Sequence, residues 1–390
     1  LLEGGVPKLD PGGASVGGWR TMVHAVMINT YGLGGDSEIV FDREQRDFAI
    51  GPRRVKPLTQ LHQEYPNILD ELERQLEQPY VATHAAQFAV VNSRAERPAG
   101  LSSQQRELWQ IIARKPVALV ELFADQTLER PLQRLVQRGL VLLSGFTPTD
   151  ASHVLGVQND WSATASRAGA ELLMRYSDFN LGKTFNTVEN FAEFVRERVS
   201  QLTALAVLET VLADSRDRPG LQLSSDERKF IRSTFIPAPD MPLSLSAQLT
   251  YPVMGIGAPA ASYYPRVGEM LSTSIELPEF ASVANALGAV VGSVRQSQTL
   301  TITPAGGKRV RVHALDGPRE FDQLDTAADW AREQLEEQVA ALAKAAGATE
   351  YELSSQRNDT IVDNNGDKVF FESTIAVHAT GRPATLQDQL

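Results

Sequence analysis

The stretch Tyr251-Pro252-Val253-Met254-Gly255-Ile256-Gly257-Ala258-Pro259-Ala260-Ala261-Ser262 decides the fold class. Residues from Leu243 to Val253 read as a strand, Gly255 to Pro259 as a turn, and Ala260 to Met270 as a helix. A strand that enters a helix through a glycine turn is the connection used by α/β proteins. Such a turn either lays a nucleotide against the helix N-terminus, where the dipole and open N–H groups favour anions, or simply closes the helix onto the sheet. Gly255, Gly257, Ala258 and Pro259 are the positions this choice concerns.

Downstream, a second helix covers Phe280 to Val291. The tail has its own period. Thr299–Thr303 and Arg309–His313 read as strands, Asp322–Ala345 as one amphipathic helix, and Glu350–Ser355 and Lys368–His378 as strands again. In a ββαββ unit of this kind the helix covers one face of a small antiparallel sheet. Upstream, 149–213 is mostly helical, with one broad apolar face from Val188 to Leu212, and 214–244 is a proline-bearing connector.

Residues 101–147 form a separate unit of three short helices, ended by Gly139, then a small hairpin from Leu140-Val141-Leu142-Leu143 with its turn at Ser144-Gly145. That is the outline of a winged helix. In 57–75, Leu58, Leu61, Tyr65, Ile68, Leu69 and Leu72 fall at helical spacing, which Pro66 splits. Residues 1–56 are glycine-rich and β-like. Met22 to Thr30 reads as a strand entering the loop Gly32-Leu33-Gly34-Gly35-Asp36-Ser37, and Ile39-Val40-Phe41 pairs with Phe48-Ala49-Ile50 as a hairpin.

Composition excludes several classes. The chain has 390 residues, 42% hydrophobic and 22% charged, long enough for two or three domains with real cores. Its 48 acidic against 37 basic residues give a net charge of −11, the wrong sign for general phosphate-backbone binding. The absence of cysteine removes disulfide frameworks, thiolate metal sites and cysteine nucleophiles. No apolar run approaches the roughly 20 residues needed to span a bilayer. The expectation is a cytoplasmic globular protein with no membrane partner, whose first residues read as cut from something longer.

The first chemical candidate is the loop at Gly34, Gly35, Asp36 and Ser37. Glycines leave backbone N–H groups open to a phosphate or oxyanion, and a carboxylate beside them can hold a magnesium or orient a water; the alternative is a plain turn. The six histidines are scattered without metal-ligand spacing, so no metal site is assigned. Asp363-Asn364-Asn365-Gly366-Asp367 lacks the trailing Glu of a calcium loop and reads as a hairpin turn. Arg130, Arg134 and Arg138 make a basic stripe on the third winged helix, but Glu107, Glu121, Asp125 and Glu129 share the unit, which favours a solvated or protein-binding face over duplex DNA.

Four stretches together resemble the A-type large subunit of the hydantoinase/oxoprolinase family of ATP-dependent lactam and imide hydrolases. In family order they are Leu2-Glu3-Gly4-Gly5-Val6-Pro7 with Val16-Gly17-Gly18-Trp19-Arg20-Thr21; Thr30-Tyr31-Gly32-Leu33-Gly34-Gly35-Asp36-Ser37 followed by Gly51-Pro52-Arg53; Thr147-Pro148-Thr149-Asp150-Ala151-Ser152-His153-Val154-Leu155-Gly156; and Gly255-Ile256-Gly257-Ala258-Pro259-Ala260 with Val283-Ala284-Asn285-Ala286-Leu287-Gly288-Ala289. The resemblance spans 1–295. It implies an α/β, actin-like ATPase (ribonuclease-H-like) half: a β-rich start at 1–56, an inserted winged-helix-like subdomain at 57–147, the remainder of the actin-like domain at 148–295, and the C-terminal ββαββ unit at 296–390. It further implies that ATP with magnesium is the cofactor, that the first phosphate loop lies upstream of Leu1, and that Gly255, Gly257, Ala258, Pro259 and Asn285 seat the adenosine. Gly34, Gly35, Asp36 and Ser37 would then face the reaction centre. Arg20 would meet an anionic substrate or phosphate, and Asp150 would either join the site or only cap the helix that follows it.

The implied activity is ATP-dependent hydrolysis of a small cyclic amide or imide, with phosphorylation activating the carbonyl. A B-type subunit or a second copy of the chain would be the partner. The chain departs from the better-known members in having Asp36 within Gly34-Gly35-Asp36-Ser37 and in its winged-helix insertion. Two other classes are carried beside this one: a non-catalytic actin-like switch or scaffold, and a nucleic-acid-binding regulator, which the charge opposes.

Overall fold

A computed structural model describes residues 28–42, 44, 47–95, 99–181, 185–215, 223–235, 246–307, 309–314, 316–364 and 367–383, together with six two-residue strands within 1–26. Of these, β1 (Leu2–Glu3) pairs with β2 (Val6–Pro7), β3 (Leu9–Asp10) with β6 (Ala25–Val26), and β4 (Ser15–Val16) with β5 (Trp19–Arg20). The expected strand Met22 to Thr30 is described only at β6 and at 28–30, and the latter are irregular. The molecule is mixed α/β and divides into two compact units, Leu1–Ser282 and Val283–Leu390. The segment 283–295, expected with the earlier part of the chain, belongs to the second.

In the first unit β7 (Ser37–Asp42) and β8 (Asp47–Arg54) form the expected hairpin, in the register Ile39 to Ile50 and Phe41 to Phe48. After β9 (Lys56–Pro57), the helical run breaks at Pro66 as its ring requires, giving α1 (Leu58–Glu64) and α2 (Ile68–Leu76). Their buried edge, Leu58, Leu61, Ile68 and Leu72, meets Phe88, Phe146 and Phe191 in the main core. That core is closed by α7 (Thr164–Leu181) and α8 (Val188–Ser215).

The small unit expected at 101–147 has a different strand plan. Its helices are α3 (Ser103–Ile112), α4 (Leu119–Leu122) and α5 (Glu129–Gln137), and Ser102 caps α3 through a reciprocal pair with Gln105. The sequence from Leu140 predicts a hairpin, but β12 (Val141–Gly145) runs straight through Ser144-Gly145. Its antiparallel partner is β10 (Phe88–Val91), from before the helices, which also pairs with β11 (Val117–Ala118). The sheet order is β11-β10-β12-β9, with β9 parallel to β12. The upstream strand therefore fills the central place that a wing hairpin's return strand would take. Leu108, Ile112, Leu132, Leu135 and Val141 give this unit its own core.

α6 (Pro148–Val154) follows β12, and α9 (Ser225–Thr234) and α10 (Ala260–Met270) complete the unit. The strand expected from Leu243 to Val253 is reduced. Residues 236–245 lie outside the described residues, 246–252 are irregular, and only β13 (Val253–Met254) forms, parallel to β14 (Ile275–Glu276). Its apolar residues pack instead as loop, Leu249 donating its N–H to the Leu271 carbonyl at 2.8 Å.

The second unit begins with α11 (Ala284–Val291). Its sheet is β17-β16-β15-β19-β18, antiparallel throughout: β15 (Val294–Gly306), β16 (Arg309–Ala314), β17 (Gly317–Phe321), β18 (Ala348–Asn364) and β19 (Asp367–Pro383). The expected ββαββ order is thus βββαββ, because Gly317 turns the chain back into a third strand before α12 (Leu324–Ala345). Ala327, Ala331, Leu335, Val339 and Ala343, four apart on α12, cover Ile302, Val312 and Val377. The alanines let the helix lie close to the sheet.

Candidate functional site

The loop before β7 is a hydrogen-bonded turn. The Ser37 N–H donates to the Gly34 carbonyl at 3.1 Å, and the Gly34 N–H donates to Ser37 Oγ at 2.8 Å. Close packing sets two neighbouring glycines: a Cβ on Gly32 would stand 2.5 Å from Pro52 Cβ, and Gly51 holds a φ of +72°. Gly34 is under no such constraint. Its φ is ordinary, and the nearest atom to a Cβ there would be Asp36 Oδ1 at 3.6 Å. The N–H groups of the two central residues, Gly35 and Asp36, meet no acceptor among the described residues.

Asp36 is not free. Arg54 Nε donates to its Oδ2 at 2.6 Å, with the guanidinium largely exposed. Arg54, which the sequence did not single out, therefore adds a positive charge beside the open N–H groups. Ser37 was expected at the reaction centre; it is instead buried, its hydroxyl holding the turn. The Arg20 side chain lies outside the described residues.

The segment leaving β12 runs antiparallel to this loop. Ile39 donates to the Phe146 carbonyl at 3.2 Å, and Thr149 donates to the Gly35 carbonyl at 2.8 Å. A Cβ on Gly35 would lie 2.7 Å from Thr149 Oγ1, so glycine is what lets α6 approach. Thr147 caps α6, with Pro148 in its first turn.

Asp150 belongs to this segment but not to a reaction surface. It is fully buried and accepts from Leu58 N–H at 3.1 Å, Thr59 N–H at 2.8 Å, Thr147 N–H at 2.9 Å, Thr147 Oγ1 at 2.8 Å and Ser166 Oγ at 2.6 Å. Burial pushes its carboxyl up, against the pull of these hydrogen bonds. Asp150 thus caps α1 and α6 together and ties both to α7, and all its acceptor capacity goes to donors of this chain.

α10 docks on α6 from the other side. The Tyr263 hydroxyl donates to the Pro148 carbonyl at 3.0 Å and lies 3.3 Å from Ser152 Oγ. Burial pushes this phenol up to about 12. Tyr263→Phe removes one buried hydrogen bond while Ser152 still serves the Pro148 carbonyl, so it should cost about 1 kcal/mol. The check is a thermal midpoint lower by about 3 °C in calorimetry.

The turn that opens α10 uses its own N–H groups internally. Gly255 donates to the Glu276 carbonyl at 2.8 Å and Gly257 to the Ala281 carbonyl at 2.7 Å. Gly257 holds a φ of +106°, and a Cβ on Gly255 would strike Leu277. These glycines are therefore accounted for by the turn itself and offer no amide cradle for phosphate. What the turn presents is apolar: Ile256, Leu277 and Phe280 are exposed beside it. Asn285 is exposed on α11, in the second compact unit.

Among the described residues no group of three or more His, Asp or Glu is gathered as a metal site, and no helix is long and apolar enough to cross a membrane. Comparison with protein families, curated proteins and solved structures gives no match to this chain.

Proposed function

We propose that this chain works in ATP-dependent hydrolysis of a cyclic amide or imide, as the catalytic or the ATPase part, and that its first unit is part of an actin-like ATPase fold. One observation supports this above the others. Two of the four stretches that resemble the hydantoinase/oxoprolinase family, far apart in sequence, meet where Thr149 donates to the Gly35 carbonyl, and the helix that opens from a third, α10, docks on α6 through Tyr263 to Pro148.

The residues present suit an anionic group better than a caged metal. The Gly35 and Asp36 N–H groups and the Arg54 guanidinium would receive phosphate oxygens. Magnesium bound with ATP usually keeps several waters and needs only one or two protein carboxylates, which Asp36 could supply on leaving Arg54. Bound ATP would supply the phosphoryl group that, placed on the amide oxygen, makes the carbonyl carbon an electrophile for water, so that the ring C–N bond breaks and hydrolysis of the acyl phosphate then releases the phosphate. The exposed apolar surface of Ile256, Leu277 and Phe280 would lie against the adenine. The partner in this scheme is a B-type subunit or a second copy of the chain.

ATP turnover by the full chain, alone and mixed with a B-type subunit, tests the proposal with hydantoin and oxoproline as substrates. Phosphate release should rise when the cyclic amide is added. Turnover indifferent to every cyclic amide, alone and with a B-type subunit, would sink the proposal and leave a nucleotide switch in its place.

A further inference from the structure

A cavity of about 590 Å³ lies along β7, and its lining includes none of residues 32–37. Its walls come from β7, from the 82–87 segment, from α5 and from α7, with Phe41, Phe123, Leu132 and Tyr176 making them largely apolar. That volume is in the range of small-molecule sites, which combine apolar walls with a few convergent polar groups.

The polar groups here are joined in a chain. Glu38 is buried, and its Oε1 accepts from Gln87 Nε2 at 3.1 Å. Because the carboxylate faces the Gln87 amide nitrogen, Gln87 Oε1 is left for His84 Nδ1 at 2.9 Å. His84 thereby donates from Nδ1 to Gln87 Oε1, its ring set edge-on to Phe123 with centroids 4.7 Å apart. The whole arrangement is held by a turn in which Ala86, buried and not glycine, adopts a φ of +59° and donates its N–H to Gln75 Oε1 at 2.9 Å. Backbone of this kind in a side chain other than glycine concentrates where a structure fixes functional groups.

Glu38 is a poorly compensated buried carboxylate. Among the described residues its ion-pair partner is Arg53, at 3.5 Å, with 61% of the Arg53 side chain exposed to solvent. Burial pushes the Glu38 carboxyl up, more than Arg53 and His84 pull it down. A second carboxylate, Glu129, also lines the cavity. Two carboxylates against one loosely held arginine leave the cavity lining rich in carboxylate. An anionic guest would meet Glu38, and a neutral one would bring no charge to exchange for the Arg53 guanidinium.

We propose that this cavity is a binding site for a small organic cation, an amine or amidine with an apolar body, whose charged head replaces Arg53 on Glu38. The apolar body would lie among Phe41, Phe123 and Leu132. This site is separate from the glycine turn, so its fate does not depend on the proposed hydrolase.

The test is isothermal titration of the full chain with phenethylamine, beside phenethyl alcohol and hydrocinnamate as its neutral and anionic counterparts. Phenethylamine should bind and the other two should not. Glu38→Gln should weaken it about tenfold or more, as expected for a hydrogen bond to a charged group. Arg53→Ala should tighten binding, because a competing cation is removed from an exposed position, where the fold has little to lose. That variant keeps the proposal testable if Glu38→Gln does not fold. Hydrocinnamate binding as tightly as the amine, undiminished binding by folded Glu38→Gln, or no amine binding by folded Arg53→Ala would each overturn it.

Discussion

Asp150→Ala should destabilise the first unit by about 3–5 kcal/mol, the scale of loss seen when one partner of a buried charged network is removed. The carboxylate is fully buried and serves five donors, three of them main-chain N–H groups of Leu58, Thr59 and Thr147. Truncation leaves these without an acceptor, and a buried donor left unpaired costs about 1–3 kcal/mol. The N-terminus of α1 would lose the carboxylate that caps it and that of α6 the return half of its reciprocal cap, and Ser166 on α7 would lose its partner as well. For a unit of this size the thermal midpoint should fall by roughly 10 °C, read by circular dichroism or calorimetry. Ser166→Ala, which removes one donor and leaves the carboxylate with four, should cost only about 1 kcal/mol. Equal losses for the two would mean that Asp150 is not the common anchor of the three helices.

This aspartate shows what local pattern can and cannot convey. Thr147-Pro148-Thr149-Asp150 reads as a helix start, and it is one. The same letters cannot say that the carboxylate also caps α1, ninety-odd residues earlier, because that contact depends on where β9 lies beside β12. Elements set by their own residues were legible. Pro66 divides α1 from α2, the apolar face of α8 is continuous, and α12 repeats its alanines at helical spacing. Strand pairing across intervening helices was not. Leu140 to Gly145 reads as half of a hairpin because its turn residues are local, whereas β10 wins the pairing from before three helices. The third strand of the second unit was missed for a related reason: Gly317-Pro318-Arg319-Glu320-Phe321 carries two charges and one large apolar residue, too little for a period to show.

The site divides in the same way. The glycine turn was legible as a turn open to an anion, since Gly34 and Gly35 carry that information themselves. Arg54 was not, because its ion pair with Asp36 exists only through the β7–β8 register, which sets Ser37 opposite Arg54. The resemblance puts Ser37 at the reaction centre, whereas its burial follows from the first rung of that hairpin. A signal for Glu38 was present and unread: a carboxylate inside Ser37-Glu38-Ile39-Val40-Phe41, where alternation leaves one face for the core.

Asp36→Asn should leave the fold intact and remove the cyclic-amide-stimulated part of ATP turnover by about a hundredfold or more, the scale of a lost carboxylate that positions or takes a proton. The stability side follows from exposure. About a third of the Asp36 side chain and most of Arg54 are in solvent, and a pair of that kind contributes at most about 1 kcal/mol. The thermal midpoint should therefore move by no more than about 3 °C, in contrast to Asp150→Ala. The activity side follows from what surrounds the carboxylate. The turn's open N–H groups and Arg54 would hold anionic oxygens, and Asp36 is the one carboxylate within that turn to orient a water or meet a metal. Asparagine keeps the shape and one acceptor oxygen but cannot take a proton and carries no charge. Arg54→Ala separates binding from chemistry: it should raise the apparent KM for ATP about tenfold, as for the loss of a charge-assisted hydrogen bond, and leave kcat close to unchanged. If Asp36→Asn turned over ATP at the parent rate with hydantoin or oxoproline present, the residues 34–37 would be a turn and nothing more. The resemblance would then have to rest on α6 and α10, whose own polar groups are already spent on holding the fold.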